Sequence, residues 1–318
     1  MILIITETTD ISTFKVCEWL LYMQKPFEII NEESHVIVEN IQINAQAIEF
    51  NITIDNKKYH IDDIKSVWFR RGGIRLLFNK IDDALDKEFK NGLTNHIVNE
   101  MTIVRDFIMN MLVVKSHVGT LGNMNKLNVL KVALEIGFDI PDTLITKNRS
   151  ELFSFIKKHN QVLSKVISEN INISSSTKKF HYPNSLISKE HLDILPLQFQ
   201  LTLFQQYIPK KYEIRVFIIG NELYPMAIFS QNNPLTVFDY RNYDSNVKTR
   251  CVPIDLTEDI RNKLSCLMQR LNINSGSIDL IYSLENKYYF LEINPVGQFG
   301  NVSYECNYYL EKKIAEIL

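Results

Sequence analysis

Hydrophobic and polar residues alternate along this chain with two periods: a period of two, which favours strands, and a period near 3.6, which favours helices. In the first third of the chain, the period of two predicts short strands over residues 2–6, 36–38, 41–43, 48–54, 57–61 and 67–69. The longer period predicts a helix over 11–23 with Asp10 as its N-cap. It also predicts either one long helix over 81–114 or two helices broken near Gly92. We therefore expect an N-terminal domain over residues 1–115.

Two further domains are predicted, over residues 116–200 and 201–318. The elements expected in the central domain are a helix over 125–136 that ends at Gly137, strands over 143–146 and 162–166, a helix over 150–159 capped by Ser150, and a flexible Ser- and Thr-rich loop over 168–179. The elements expected in the C-terminal domain are a strand over 203–208, a hairpin of 213–219 and 222–229 around Gly220 and Asn221, a helix over 258–271, strands over 277–282 and 288–294, and a closing helix over 304–317. This mixture of strands and helices predicts an α/β (α+β) fold class.

Composition narrows the class of protein only a little. The 318 residues carry a formal net charge of −2, so the overall charge gives no indication of a nucleic acid or an anionic membrane as a partner. None of the four cysteines lies in a Cys-x-x-Cys pair, which argues against a zinc site or a disulfide framework and favours the reducing cytoplasm. The apolar run at residues 1–5 is too short for a signal peptide and is expected to be a buried strand. No apolar run approaches the length of a membrane helix.

The strand over 288–294 carries the strongest candidate metal ligands. Glu292 and Asn294 are two residues apart, so they are expected to point to one face of the strand, which Pro295 ends. Asp279 lies inside the apolar strand over 277–282, where a carboxylate is costly to bury unless something pairs with it. Three oxygen ligands on two neighbouring strands suit Mg²⁺. The plainer alternative is a solvated hairpin with ordinary polar residues.

Any bound phosphate groups must be held by cations, because the chain lacks the glycine-rich loops that cradle phosphates. It contains ten glycines, and neither Gly-x-x-x-x-Gly-Lys-Ser/Thr nor Gly-x-Gly-x-x-Gly occurs. The candidate cations are Lys126 in the first turn of a helix, Lys165 within an apolar strand, and Arg215, which strand alternation places on the same face as Glu213. Each has a structural alternative: solvation for Lys126, snorkelling for Lys165 and a cross-strand ion pair for Arg215.

In this order, these residues resemble the ATP-grasp superfamily over roughly residues 115–318. The resemblance implies an ATP-grasp fold with an N-terminal pre-ATP-grasp domain, a central lid domain and a C-terminal ATP-grasp domain. The residues it assigns to ATP are Lys126, Lys165, Gln205, Gln206, Tyr207, Ile208, Glu213 and Arg215, and those it assigns to Mg²⁺ are Asp279, Glu292 and Asn294. Two features depart from the family pattern. Residues 174–177 are rich in Ser where many relatives have a glycine-rich loop, and Gln206 stands where many have Glu.

Several stretches narrow the resemblance to the graspetide maturases, the microviridin-type or grasp-with-spasm branch of the superfamily. The stretches are residues 67–71, 205–210, 213–215, 238–241 and 292–299. The resemblance implies that Arg70, Asp239, Arg241 and Arg215 act in catalysis, with Arg241 orienting an acyl phosphate and Asp239 positioning Arg241 or serving as a base. The alternatives are a surface loop for 239–241 and a solvated turn for Arg70.

The function implied is that of an ATP-dependent macrocyclase, with ATP and Mg²⁺ as cofactors. Such an enzyme activates Asp or Glu side chains of a ribosomal precursor peptide as acyl phosphates and joins them to Thr or Ser hydroxyls or Lys amines. The partner implied is a precursor peptide with a leader and a core rich in Thr, Glu and Asp, and a homodimer is also implied. One alternative is an ATP-grasp ligase that adds an amino acid to a peptide or protein tail. An alternative of another class is a non-catalytic module that binds nucleotide and peptide.

Overall fold

The structure is a computed structural model that describes residues 1–120, 124–168, 172–175, 177–181, 185–231, 233, 236 and 248–318. Its helices are α1 (Ile11–Tyr22), α2 (Lys87–Val113), α3 (Lys126–Ile136), α4 (Arg149–His159), α5 (Lys189–Ile194), α6 (Glu258–Arg270), α7 (Gly300–Cys306) and α8 (Leu310–Ile317). Its strands are β1 (Ile2–Ile5), β2 (Phe27–Ile30), β3 (Val36–Ile43), β4 (Ile48–Ile54), β5 (Lys57–His60), β6 (Ser66–Phe69), β7 (Ser116–Gly119), β8 (Thr143–Asn148), β9 (Val162–Lys165), β10 (Asn172–Ser174), β11 (Lys179–His181), β12 (Ser185–Leu186), β13 (Gln198–Gln206), β14 (Lys210–Ile219), β15 (Glu222–Phe229), β16 (Arg250–Pro253), β17 (Ser275–Ser283) and β18 (Tyr288–Asn294).

These elements form two compact units, and the predicted α/β class is confirmed. The first unit contains Met1–Gly122, Gln298–Ser303 and Tyr309–Leu318, and the second contains Asn123–Gly297 and Tyr304–Tyr308. The domain boundaries expected after residues 115 and 200 remain predictions. In the described part of the chain, the helices are too short or too polar to cross a membrane.

The first unit is built on a parallel sheet in the order β2-β1-β6-β7, beside an antiparallel meander of β3, β4 and β5. β1 is buried along its whole length, which fits the expectation that the apolar N-terminal run is a core strand. Asp10 caps α1 as predicted, because its side chain accepts a hydrogen bond from the Ser12 backbone N–H at 2.9 Å. The strands expected over 36–38 and 41–43 form the single strand β3, which absorbs the interruption as a bulge. The helical pattern over 81–114 forms one helix, and Gly92 does not break it.

The second unit contains the sheet that carries most of the candidate site residues. Its order is β16-β15-β14-β17-β18, and all neighbouring pairs are antiparallel. Alternate residues of β14 and β17, such as Ile214, Val216 and Ile278, pack against α3 and α6 in one buried cluster. The intervening residues therefore share the other face of the sheet, and this strand alternation decides where the polar side chains of the site lie.

A four-stranded sheet in the order β12-β9-β13-β8 lies in the same unit, with α4 packed on it. The loop expected over 168–179 is wrong in part, because it contains β10 and the first residue of β11, which pair as an antiparallel hairpin. The polar composition of this stretch conceals a period of two in the sequence. The predicted cap Ser150 is also wrong, because α4 begins at Arg149 and has Asn148, two residues before Ser150, at its N-cap. The closing helix expected over 304–317 is divided into α7 and α8, because Asn307 and Tyr309 both adopt positive φ of 53°.

Candidate active site

Asp279, Glu292 and Asn294 come together on the face of the five-stranded sheet opposite to α3 and α6. Asp279 of β17 is directly opposite Glu292 of β18, and Asn294 follows two residues later, opposite Ser277. β18 ends at Asn294, immediately before Pro295, as the sequence predicts. A turn follows, in which the Gly297 N–H donates to the Asn294 carbonyl oxygen at 3.0 Å. The predicted juxtaposition of three oxygen-bearing side chains is therefore present.

Arg215 compensates the charge of Asp279. It lies on β14 directly opposite Asp279, its Nε donates to Oδ1 at 2.8 Å and its Nη2 donates to Oδ2 at 2.8 Å. The two side chains are 11% and 16% exposed, so this is a largely buried, bidentate ion pair. The cross-strand ion pair considered for Arg215 is thus observed. It also explains how an acid can lie in an apolar strand, because a buried carboxylate requires a paired cation.

The donor set fits a Mg²⁺ ion whose coordination is completed by water and phosphate oxygens. A carboxylate offers about four lone-pair positions, so Asp279 retains acceptor capacity beyond the two hydrogen bonds from Arg215. Glu292 is about one third exposed and Asn294 is exposed, so both are open to a ligand. Among the residues that the structure describes, no three His, Cys, Asp or Glu side chains form a metal cluster. Two carboxylates and an amide match the way proteins hold Mg²⁺ with few protein ligands.

Lys126 lies at the edge of this group. α3 begins at Lys126 because Asn125 caps it, accepting hydrogen bonds from the Leu127 and Asn128 backbone N–H groups at 3.0 and 3.2 Å. The Lys126 ammonium lies 3.9 Å from Glu292 Oε2 and donates to the Ser168 carbonyl oxygen at 2.6 Å. The ammonium is therefore close to the candidate metal ligands, a position suited to a phosphate that shares a metal with Glu292.

Lys165 and the predicted hinge residues lie at the meeting of β9, β13 and β8. The Lys165 ammonium donates to Gln205 Oε1 at 2.6 Å, and Gln205 Nε2 donates to Thr143 Oγ1 at 3.1 Å. Gln205 is 4% exposed, so its amide is a fixed acceptor that orients the lysine. Lys165 is half-buried and hydrogen-bonded, which differs from a snorkelling surface lysine.

The rest of the hinge connects β13 to β14. The backbone N–H groups of Gln206 and Tyr207 donate to the carbonyl oxygens of Asp142 and Gln161 at 2.8 and 3.0 Å. Burial raises the pKa of the Tyr207 hydroxyl above its usual range. Ile208 is buried, and its backbone N–H makes no hydrogen bond to any residue that the structure describes.

Glu213 shares the face of β14 that carries Arg215, as the alternation predicts. Its Oε1 accepts hydrogen bonds from Lys210 Nζ and from Ser230 Oγ, the latter at 2.9 Å. Burial raises the pKa of Glu213, whereas Lys210 and Ser230 oppose that rise. Sequence analysis did not identify Lys210 or Ser230. The Lys210-Lys211 pair offers no signal that distinguishes one lysine from the other.

The remaining candidates are not placed in this group. Arg70 belongs to the first unit and is 3% exposed, so the solvated turn considered for it is wrong. Its Nε lies 2.6 Å from Asp10 Oδ2, and its guanidinium lies 5.2 Å from the centroid of the Phe299 ring. Burial lowers the pKa of Arg70, and Asp10 opposes that shift. Asp239 and Arg241 lie outside the described residues.

No family model and no curated protein matches the chain, whereas several solved structures do. The chain is 26% identical to an ATP-grasp ligase from Chryseobacterium gregarium, associated with ribosomally made and modified peptides and solved with ADP, a leader and a core peptide. That match covers 99% of this chain and 94% of that one, with a TM-score of 0.76. This chain is also 27% identical to the macrocyclase MdnC from Microcystis aeruginosa, solved with precursor peptide MdnA. That second match covers 100% of this chain and 98% of MdnC, with a TM-score of 0.74.

A more distant match supports the fold alone. The ATP-grasp ligase PsnB, solved with a phosphomimetic variant of its minimal precursor, Mg and ADP, is 13% identical over 99% of this chain and 95% or more of its own length, with a TM-score of 0.67. The two full-length matches above one quarter identity agree with the family that the sequence resembles. The chain therefore has the fold of the ATP-grasp ligases and is similar over its full length to ligases solved with their peptides, which supports the resemblance to the graspetide maturases.

Proposed function

We propose that this protein is an ATP-dependent macrocyclase that closes rings between side chains of a ribosomal precursor peptide. An Asp or Glu carboxylate of the peptide attacks the γ-phosphorus of ATP, which forms an acyl phosphate and releases ADP. A Thr or Ser hydroxyl, or a Lys amine, then attacks the acyl carbon. The phosphate leaves with the electron pair of the broken C–O bond, and the nucleophile loses its proton. Each ester or amide formed removes one water from the precursor.

The proposed phosphate site uses positioning and charge more than covalent chemistry, as phosphoryl transfer requires. Lys126, Lys165 and Arg215 would offset phosphate charge, and Asp279, Glu292 and Asn294 would hold Mg²⁺. When bound, Mg²⁺ neutralises charge on the phosphate oxygens and helps to align them. A peptide carboxylate needs no general base for the first step, because it is ionised at neutral pH.

The proposed adenine site is the hinge of residues 205–208. The backbone N–H groups of Gln206 and Tyr207 already bond within the protein, whereas that of Ile208 has no bond within the described ranges. The Ile208 N–H is therefore the hinge donor that we assign to the adenine edge. This backbone reading explains how an adenine site can tolerate Gln206 at a position where relatives carry Glu.

The peptide side of the proposal assigns Arg215, Arg70, Asp239 and Arg241 to the activated carboxylate and its surroundings. Arg215 has the strongest support, because its guanidinium lies on the same sheet face as the candidate metal ligands. The buried ion pair of Arg70 with Asp10 supports an indirect role, in which Arg70 stabilises the end of β6. The proposal also includes a Thr-, Glu- and Asp-rich core, a homodimer and action in the cytoplasm, where ATP and Mg²⁺ are available.

One observation carries the proposal: the chain combines opposed carboxylates and a buried arginine on one face of the five-stranded sheet, with Lys126 beside them and a second lysine, Lys165, held by Gln205. A non-catalytic binding module would not require this complete set. The test is to incubate the protein with ATP, Mg²⁺ and the precursor peptide encoded beside its gene, and to measure the product by mass spectrometry. We expect losses of whole waters that depend on ATP. A gain in mass equal to an added amino acid would instead establish a tail ligase, and ADP binding without any product would establish a binding module.

A further inference from the structure

A β-bulge at the start of β14 changes the direction of Lys210. In the pairing with β17, Lys210 is opposite Ser283 and Tyr212 is opposite Tyr282, so two residues of β14 span one step of its partner. In a regular strand, residues three apart point to opposite faces. The extra residue reverses that relation, so Lys210 lies on the face that carries Glu213. Without the bulge, Lys210 would point towards the face that Tyr212 shares with α3 and α6.

The contacts of Lys210 are unusual for a lysine. Its side chain is 3% exposed, although lysine is almost never fully buried unless it is paired. Its ammonium donates to Glu213 Oε1, the same oxygen that accepts from Ser230 Oγ. Glu213 Oε2 makes no hydrogen bond within the described ranges, and the side chain is 12% exposed. The two donors that the described residues supply thus converge on Oε1, and Oε2 is the oxygen that we assign to a ligand.

We infer that Lys210 is a positioning residue that keeps Glu213 ionised and directs its second oxygen towards the bound nucleotide. The inference rests on the proposed function, because it takes Glu213 as part of the nucleotide site. A hydroxyl of the nucleotide can donate to an ionised carboxylate, whereas a protonated carboxyl competes as a donor. Lys210 itself does not touch the nucleotide in this arrangement.

The charges around Glu213 explain why it needs a dedicated cation. From β14, Lys210 and Arg215 face it. From β17, Asp279 faces it and raises its pKa, and Arg215 is already committed to Asp279 by two hydrogen bonds. From the hinge, the hydroxyl of Tyr207 lies within electrostatic range, and Ser230 follows the end of β15. Lys210 is therefore the cation that directly compensates Glu213, and burial favours protonation if this cation is removed.

Removal of the Lys210 charge should make nucleotide binding depend on pH. In Lys210→Met, the pKa of Glu213 rises further, so Glu213 becomes protonated at a higher pH than in the wild type. Above both pKa values the two proteins should bind ADP equally. Below both values, binding by the variant should be weaker by about tenfold for each unit of the additional pKa shift. At each pH we compare the dissociation constants of the variant and the wild type as a ratio. Protonation of ADP affects both constants equally, so it cancels in this ratio.

The experiment measures Mg²⁺–ADP binding by isothermal titration calorimetry from pH 6 to pH 9, for the wild type and three variants. The expected result is a ratio near one at the alkaline end that increases as pH falls for Lys210→Met. Lys210→Arg, which keeps the charge, should restore most of the wild-type behaviour. The matched control is Lys211→Met, because Lys211 is the neighbouring lysine, is only partly buried and bonds to Asn286 Oδ1 instead of Glu213. It should follow the wild type at every pH.

Two results would overturn the inference in different ways. If the wild type binds ADP and Lys210→Met shows a ratio that is constant with pH, Lys210 has only a structural role, and the proposed function stands. If the wild type does not bind ADP, the proposed function fails, and the inference fails with it. Should Lys210→Met not fold, Ser230→Ala supplies the same test, because it removes the other donor to Oε1. It should shift binding in the same direction by a smaller amount, and a flat ratio would refute the inference.

Discussion

The ion pair between Arg215 and Asp279 leads to the sharpest prediction, because it joins stability to activity at one residue. Asp279→Asn removes the negative charge that compensates a guanidinium only 11% exposed. Asparagine retains one acceptor oxygen, so one of the two 2.8 Å hydrogen bonds can persist. The variant should therefore lose both the proposed Mg²⁺ ligand and part of the stability of the second unit.

The size of the effect follows from burial. Removing one partner of a buried ion pair lowers the free energy of unfolding by about 3–5 kcal/mol. Because one hydrogen bond is retained, we expect Asp279→Asn to lose about 3 kcal/mol, the lower end of this range. For a unit of this size, each kcal/mol lowers the melting temperature by about 2–4 °C, so the expected decrease is about 6–12 °C. Glu292→Gln is the matched control, because Glu292 is 36% exposed and lies 3.9 Å from Lys126. An exposed ion pair of this kind contributes about 1 kcal/mol or less to the free energy of unfolding, so the control should lose little stability.

The assay combines thermal unfolding without nucleotide and ADP release with ATP, Mg²⁺ and peptide. Both single variants should lose turnover, but only Asp279→Asn should unfold at a clearly lower temperature. The double variant Arg215→Met with Asp279→Asn should recover most of the lost stability and remain inactive, because it removes the unpaired buried charge. If Asp279→Asn melts within about 2 °C of the wild type, the ion pair does not stabilise the protein as argued.

Three further predictions concern other parts of the molecule. Lys165→Met removes the ammonium held by Gln205 at 2.6 Å, so the KM for ATP should rise about tenfold with little change in melting temperature; steady-state kinetics would contradict this if KM were unchanged. Gly297→Ala places a Cβ 3.0 Å from the Phe217 ring at a φ of +61°, so the free energy of unfolding should fall by about 1–3 kcal/mol. Because this turn follows Asn294, the variant should also need more Mg²⁺ for half-maximal ADP binding. Burial raises the pKa of Cys17 to about 11, so its thiolate is scarce at pH 8 and alkylation of the native protein should be far slower than in urea; equal rates by peptide mass mapping would refute this burial.

Local pattern was sufficient to predict much of the second unit. The run from residue 288 to Pro295 identifies a strand, its end and the shared face of Glu292 and Asn294, because strand alternation is a local property. The hairpin at Gly220 is predictable for the same reason, since its φ of +56° suits glycine. Resemblance along the chain added the superfamily and the ligase group, which comparison with solved structures supports.

Pattern was less informative where elements are short or polar. β2 and β7 were not predicted, because four residues beside stronger signals give little periodicity. The hairpin of β10 and β11 was mistaken for a loop, since its polar composition outweighs its alternation. The break between α7 and α8 depends on two residues with positive φ, and helical periodicity continues across them.

The amino-acid sequence alone determined which residue types are available to the site and, where a strand is regular, on which face of that strand they lie. Only the tertiary structure decided their partners. Register places Asp279 between Arg215 and Glu292, and a bulge turns Lys210 towards Glu213. These pairings join residues distant in sequence, and their energy comes from burial and from the removal of water around each charge. A periodic pattern specifies the direction of a side chain along its own strand, but the packing of neighbouring strands selects the group that it meets.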